Sequence, residues 1–335
     1  MDINRYQEIT TAFGGTEAQL GPPIEDAIIV MGMMFEENDK DGRPLYSCTL
    51  LPDVDVTFYE WQITGAADIL IKTFGEIPLP AEHLADEDVA YYHNLLRGYA
   101  LGGHITTDQT GLGKTIQTLL ALAFVVKFRP FTDKDGLPSF KPIFLNVPKQ
   151  VVEQWALEIK RRWGRIFNLV ISFGVRELWQ TTLQNEVVPS AKVVDRFSAG
   201  GAAMSLPARF ERVLDQSDEL AGRTIWLTSY DTHSARCLSV APMPAEGDDS
   251  NNSVAIEEEN GDVNGKAGYL VYDSHCGDWF RLGIFDEAHR LRNPNTQGHF
   301  AMTALKLEFH WLLTASPVVN SPAVSILPST GFAYR

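Results

Sequence analysis

Two short stretches of this sequence hold residue types that can handle a polyphosphate. The first is Asp108-Gln109-Thr110-Gly111-Leu112-Gly113-Lys114-Thr115, followed at once by an apolar helical pattern from Ile116 to Val126. Glycines let backbone N–H groups converge on an anion, and the helix behind them aims the positive end of its dipole at the same point. In such a loop Gly111, Leu112 and Gly113 offer amides, Lys114 reaches the β- and γ-phosphates, and the Thr115 hydroxyl holds Mg²⁺. The pattern usually begins with glycine, where this sequence has Asp108. The bland alternative, a glycine-rich turn before an ordinary helix, is not removed by the loop alone.

The second stretch is Ile284-Phe285-Asp286-Glu287-Ala288-His289, an apolar run that delivers two adjacent carboxylates. Phosphoryl transfer needs one acid for Mg²⁺ and another to orient the attacking water. Asp286 suits the metal and Glu287 the water. His289 is placed to touch either the γ-phosphate region or a coupling segment. Two exposed acids opening a loop would be the simpler reading of this stretch in isolation; the phosphate loop upstream reverses that preference. A third candidate is Gln62, which either faces solvent from its helix or reads an adenine edge with donor and acceptor together.

The elements that must position these groups alternate. Apolar periodicity predicts helices over 58–73, 115–127, 149–163, 176–184 and 299–307, and strands over 143–147, 169–173, 224–228, 281–285 and 311–314. This order predicts an α/β fold with a mostly parallel sheet and helices on both faces. Ligands of such sheets bind at the carboxyl ends of the strands, where Asp286 and Thr314 would lie. Upstream, Ala27–Phe35 reads as a buried strand closed by an acidic turn at Glu36–Gly42, within a leader of residues 1–50 that is partly ordered at most. Residues 74–98 read as a loop insertion with a short helix near Tyr91–Leu96. Residues 241–266 are polar and acidic around Glu257-Glu258-Glu259, the composition of a disordered insertion. The main domain is expected over 51–327, with a tail at 328–335.

The 335 residues are 44% hydrophobic and carry a net charge of −15, which disfavours a protein that coats nucleic acid non-specifically but leaves room for a local basic groove. The densest basic cluster, Lys160, Arg161, Arg162 and Arg165, is either a solvated helix face or a phosphate contact. Three widely spaced cysteines, Cys48, Cys237 and Cys276, suggest neither a zinc site nor a disulfide framework and fit a reducing, intracellular compartment. The N-terminus lacks the pattern of a signal peptide, and no apolar run approaches the ~20 residues of a membrane span.

Taken in order, these motifs resemble those of the first RecA-like lobe of Swi/Snf-type ATPases of helicase superfamily two. Tyr59-Glu60-Trp61-Gln62 is similar to the adenine-reading Gln motif. Asp108 to Gln117 is similar to the DExGLGKTxQ form of the phosphate loop, in which Asp regularly replaces the first Gly. Pro142 to Pro148 with Trp155 to Glu158 resembles a segment that touches a DNA backbone, and Leu227-Thr228-Ser229-Tyr230 another. Asp286-Glu287-Ala288-His289 matches the DEAH box, and Leu313-Thr314-Ala315-Ser316-Pro317 resembles the LTGTP coupling motif.

The resemblance spans residues 55–320 and implies ATP and Mg²⁺ as ligands. It also implies duplex DNA as a partner, chromatin or repair proteins as further partners, no membrane, and a nuclear location. It assigns Trp155, Thr228 and Ser229 to DNA, and His289, Thr314 and Ser316 to coupling; Lys149 and the Lys160–Arg162 cluster are the candidates for contact with DNA phosphates. Departures are Gln109 for an acid, Thr110 for Met, and Ala315-Ser316 for Gly-Thr. The sequence ends soon after the coupling motif, with no arginine between Arg292 and Arg335. The expectation is therefore a lobe without its second RecA-like partner, either truncated or completed in trans. Such a chain would bind Mg-ATP weakly and turn it over very slowly. Two rival functions are a nucleotide-binding switch or scaffold without motor activity, and a small-molecule P-loop kinase, which would leave the later motifs unexplained.

Overall fold

The computed structural model describes residues 22–109, 111–188, 208–242, 254–257, 269–274, 276–294 and 296–315. The chain divides into two compact units, Met1–Pro130 and Phe131–Arg335.

The first unit opens with α1 (Ile24–Val30). Strand β1 (Met33–Asn38) then pairs antiparallel with β2 (Pro44–Cys48). The single strand expected over Ala27–Phe35 is therefore corrected to a helix followed by a strand. So short an apolar run fits either period; Glu25 and Asp26 favour a helical first turn, where the dipole welcomes negative charge. The acidic turn is a turn, tied by Asp39 Oδ1, which accepts from the N–H groups of Asp41 (2.8 Å) and Arg43 (2.9 Å). Tyr46 and Phe58 exchange backbone hydrogen bonds at 2.9 and 2.7 Å, which leads the hairpin into α2 (Glu60–Phe74). Helix α2 buries Ile63, Ala66, Ala67, Ile69 and Leu70 at the expected spacing.

The stretch expected as a loop insertion holds two helices, α3 (Ala81–Leu84) and α4 (Glu87–Leu95). Asp86 caps α4 by accepting from the N–H groups of Asp88 and Val89. Strand β3 (Gly103–Thr106) then leads to the phosphate loop and to α5 (Lys114–Phe128), whose residues Gln117–Val125 are all buried.

The second unit contains, in chain order, β4 (Ile143–Val147), α6 (Val152–Arg162), β5 (Asn168–Ile171), α7 (Ala208–Val213), α8 (Glu219–Gly222), β6 (Thr224–Ser229) and α9 (Tyr230–Cys237). It continues with β7 (Leu238–Pro242), β8 (Val254–Glu257), β9 (Tyr269–Ser274), β10 (Leu282–Asp286), α10 (Gln297–Thr303) and β11 (Phe309–Leu313). Within this unit five strands run parallel in the order β11–β10–β4–β6–β5, flanked by helices. Strands β4 and β6 are buried along their whole length, which is why each carries three consecutive apolar residues rather than apolar–polar alternation. Phe144, Trp226, Phe280 and Phe285 form the centre of the core, with the Phe144 and Phe280 rings 5.0 Å apart. The fold is the α/β, mostly parallel, RecA-like P-loop NTPase type expected from the sequence.

Two expectations fail here. No α-helix forms over 176–184; single 3₁₀ turns at Arg176–Leu178 and Gln184–Glu186 stand in its place. Between them Trp179 is extended and buried, with its indole donating to the Phe173 carbonyl at 3.2 Å, so burial of one ring breaks the helical period. The acidic insertion is crossed by structure as well. Val254–Glu257 pairs antiparallel with β9, which also pairs with β7, because Val254-Ala255-Ile256 is a β-prone run inside an acidic stretch. Residues 1–21, 243–253, 258–268 and the 328–335 tail lie outside the described residues.

Candidate nucleotide-binding residues

The phosphate loop is held from several sides within the first unit. Gly111 has φ +91° and Gly113, which starts α5, has φ +83°; L side chains resist both conformations. Nothing lies within 4 Å of where a Cβ on Gly111 would sit, so the loop is open to an anion there. A Cβ on Gly113 would fall 2.3 Å from Gln62 Nε2, which places the Gln62 amide directly against the loop. Gln62 is buried, so the solvent-facing alternative is removed. Its Oε1 accepts from the Tyr59 N–H at 3.1 Å, a capping contact that fixes the amide orientation and leaves Nε2 as the donor.

Trp61 Nε1 donates to the Leu112 carbonyl at 3.1 Å, and its ring stacks on Tyr59 with centroids 4.4 Å apart. Lys114 Nζ donates to the Asp108 carbonyl (2.7 Å) and the Gln109 carbonyl (3.3 Å). Asp108 Oδ2 accepts from Gln117 Nε2 at 2.7 Å. Thr115 is half-buried in the first turn of α5. Thr110 lies outside the described residues. A cradle lined by left-handed glycines, a lysine and a fifteen-residue helix N-terminus fits a nucleotide polyphosphate.

The acids of the second unit stand where a parallel sheet delivers them. The register pairs Asp286 with Leu313, so Asp286 and Thr314 share the carboxyl edge of β10 and β11. Several bonds hold Asp286, three of them as follows. Oδ2 accepts from Trp155 Nε1 at 3.0 Å, Oδ1 accepts from the Glu287 N–H at 3.0 Å, and the backbone carbonyl accepts from the Tyr230 hydroxyl at 2.8 Å. Burial first, and the Asp286 carboxylate second, push the Tyr230 hydroxyl pKa well above its ordinary value, so it stays a donor. Glu287 sits at φ 52°, a conformation that costs a non-glycine residue on the order of 1 kcal/mol and is concentrated at functional sites. His289 Nδ1 lies 3.1 Å from Thr314 Oγ1 and 3.2 Å from Glu287 Oε2. Ser316 lies outside the described residues. Among the described residues no cluster of three or more His, Cys, Asp or Glu forms a ready-made metal cage.

The expected DNA contacts need correction. Trp155 is 3% exposed and its indole is committed to Asp286; Thr228 and Ser229 are each 1% exposed. Thr228 Oγ1 donates to the Ser172 carbonyl and Ser229 Oγ donates to Thr232 Oγ1, so these side chains are not presented to a duplex. The resemblance placed them near DNA; in this structure they are buried groups satisfied internally. Lys149 remains exposed. In the basic cluster, Lys160 pairs with Glu186 and Arg162 with Glu158. The sequence reading gave no role to Gln117 or Trp61. The signal for Gln117 was a lone amide inside an otherwise apolar helix.

A family model described as the SNF2-related domain matches residues 56–325. The mouse helicase-like transcription factor is 45% identical over 47 residues, which cover 14% of this chain and 5% of that protein. Switch 2 of Arabidopsis thaliana is 32% identical over 124 residues, covering 32% of this chain and 13% of that protein. The chain thus spans a small part of the length of the curated relatives it matches. Among solved structures, the Sulfolobus solfataricus SWI2/SNF2 ATPase core in complex with dsDNA aligns with 75% of this chain and 35% of that one, at 15% identity and a TM-score of 0.32.

Proposed function

The chain belongs to the SNF2-related domain family, and on that premise we propose that it is the ATP-binding lobe of a DNA-dependent ATPase of the Swi/Snf type. The observation that carries the reading is the build of the phosphate loop, with Lys114 Nζ held by two of the loop's own carbonyls beside two left-handed glycines. Lys114 would exchange those partners for phosphate oxygens. Thr115 and Asp286 would hold Mg²⁺, Glu287 would orient the attacking water, and Gln62 Nε2 would donate to adenine. Bound Mg²⁺ supplies charge compensation at the transferring phosphoryl group. Thr314 and His289 would report the state of Glu287 to the coupling segment. Duplex DNA is the proposed partner, contacted at Lys149, and nuclear chromatin remodelling or DNA repair the proposed setting.

Equilibrium binding of a fluorescent Mg-ADP to the full chain tests the reading. Wild type binds saturably, and Lys114→Ala binds about tenfold more weakly, the loss expected for a charge-assisted hydrogen bond. Absent binding by wild type, or equal binding by the variant, overturns the nucleotide role. Single-turnover hydrolysis with and without duplex DNA tests the rest, and a rate indifferent to DNA counts against it.

A further inference from the structure

The helix that carries Trp155 was expected to touch DNA, and its indole instead points into the protein. Trp155 is 3% exposed, and an indole N–H is a donor with no other polar function. A buried donor must find an acceptor, and here the acceptor is Asp286 Oδ2 at 3.0 Å, from a residue 131 positions further along the chain. A long-range bond of this kind cannot be a by-product of local helix geometry.

The rest of the cradle is equally specific. The Glu287 N–H holds the other carboxylate oxygen at 3.0 Å, and the Tyr230 hydroxyl holds the Asp286 carbonyl at 2.8 Å. Donors from the start of α6, the start of α9 and the turn after β10 therefore fix both the backbone and the side-chain torsions of one acid.

We propose that Trp155 is a positioning residue for Asp286, which sets the affinity for Mg²⁺ rather than for the nucleotide itself. The inference rests on the proposed function for its metal, but the bond can be judged without any nucleotide. Partners that orient metal-binding carboxylates typically change metal affinity by about 10–100-fold when removed. Trp155→Phe deletes the N–H and retains an aromatic ring in the same space. Tyr230→Phe does the same for the second side-chain donor.

The test uses the full chain and two readouts. In ¹H–¹⁵N spectra of the apo protein, the Trp155 indole resonance is expected downfield, and Asp286→Ala is expected to move it upfield. An indole resonance indifferent to Asp286→Ala overturns the proposal whatever the nucleotide data show. The second readout is the ratio of ADP affinities with and without Mg²⁺. Trp155→Phe should lower that ratio about tenfold while metal-free ADP binding stays within about twofold of wild type. A ratio equal to that of wild type, or an equal loss in both conditions, overturns the positioning role. If Trp155→Phe does not fold, Tyr230→Phe is read in the same way, with the same two outcomes. A wild-type chain that binds no nucleotide, yet shows the indole shift, would overturn the proposed function and with it the metal role; the bond itself would stand.

Discussion

His289 Nδ1 lies 3.1 Å from Thr314 Oγ1, and the same nitrogen lies 3.2 Å from Glu287 Oε2. One ring nitrogen cannot serve both partners equally. With a proton it donates to the Glu287 carboxylate or to the Thr314 oxygen; without one it accepts from the Thr314 hydroxyl. The acid proposed to orient water and the residue that begins the coupling segment are therefore linked through a single atom. Thr314→Val removes the hydroxyl and keeps the branched shape. We expect single-turnover hydrolysis to fall about tenfold at saturating ATP with nucleotide affinity nearly unchanged, the pattern of an interaction used on the way to the transition state. A loss confined to affinity would place Thr314 in ground-state binding instead.

A second prediction concerns the aspartate that takes a glycine's place. Asp108 accepts from Gln117 Nε2 at 2.7 Å, and Gln117 is fully buried on α5. A Cβ at Gly65 would fall 2.5 Å from Gln117 Oε1, so Gly65, Gln117 and Asp108 form one packed chain from α2 to the loop. Asp108→Ala should weaken Mg-ADP binding about tenfold, the loss expected from a hydrogen bond to a charged group. Asp108→Asn still offers an acceptor and should stay within about threefold of wild type, since the lost charge is a smaller effect than the lost bond. Equal losses in the two variants would mean that the charge, not the bond, holds the loop.

These two relationships show where sequence reading stops. Strands β4, β6 and β10 were legible because a strand buried on both faces writes itself as an apolar run, and α2 and α5 because their burial follows the helical period. Asp108 was legible as a motif letter, but its partner nine residues on was not, since only folding brings the two together. The bond from Trp155 was not legible for the same reason: its acceptor is remote in sequence, and an amphipathic helix offers no sign of which aromatic will meet a carboxylate. The helix at Ile24–Val30 and the strand at Val254–Glu257 were missed because runs so short carry too few residues to fix a period.

A third prediction separates stability from DNA binding. Lys160 Nζ contacts Glu186 Oε1 at 2.5 Å, and the Glu186 side chain is only 4% exposed. Lys160→Ala removes the lysine from a buried carboxylate and should cost about 2 kcal/mol, below the usual range for a buried pair because Lys160 itself is half in water. It should not change the salt dependence of duplex binding. Lys149→Ala is expected to do the reverse: no loss of stability, and a salt-dependence slope smaller by about 1. Urea denaturation and DNA affinity across salt concentrations measure the two effects. A reduced slope for Lys160→Ala would return that residue to the DNA groove.

The fourth prediction is a pH dependence centred on His310. It lies on β11, stacked on Phe285 with ring centroids 6.4 Å apart, and burial lowers its pKa from 6.5 to about 4. The folded state therefore resists a proton that the unfolded chain accepts. The stability tied to the neutral ring is fully present above pH 6.5 and is lost as pH falls from 6.5 toward about 4. The size of the shift corresponds to a loss of about 3–4 kcal/mol at most, at about 1.4 kcal/mol per unit. His310→Phe keeps the stacked ring and cannot titrate. Its urea midpoint should match that of wild type near neutral pH to within the packing difference and exceed it increasingly on acidification. Carboxylates elsewhere titrate alike in both proteins and cancel in the comparison. Parallel midpoint curves for the two proteins between pH 6.5 and about 4 would show that His310 is protonated without penalty in the fold.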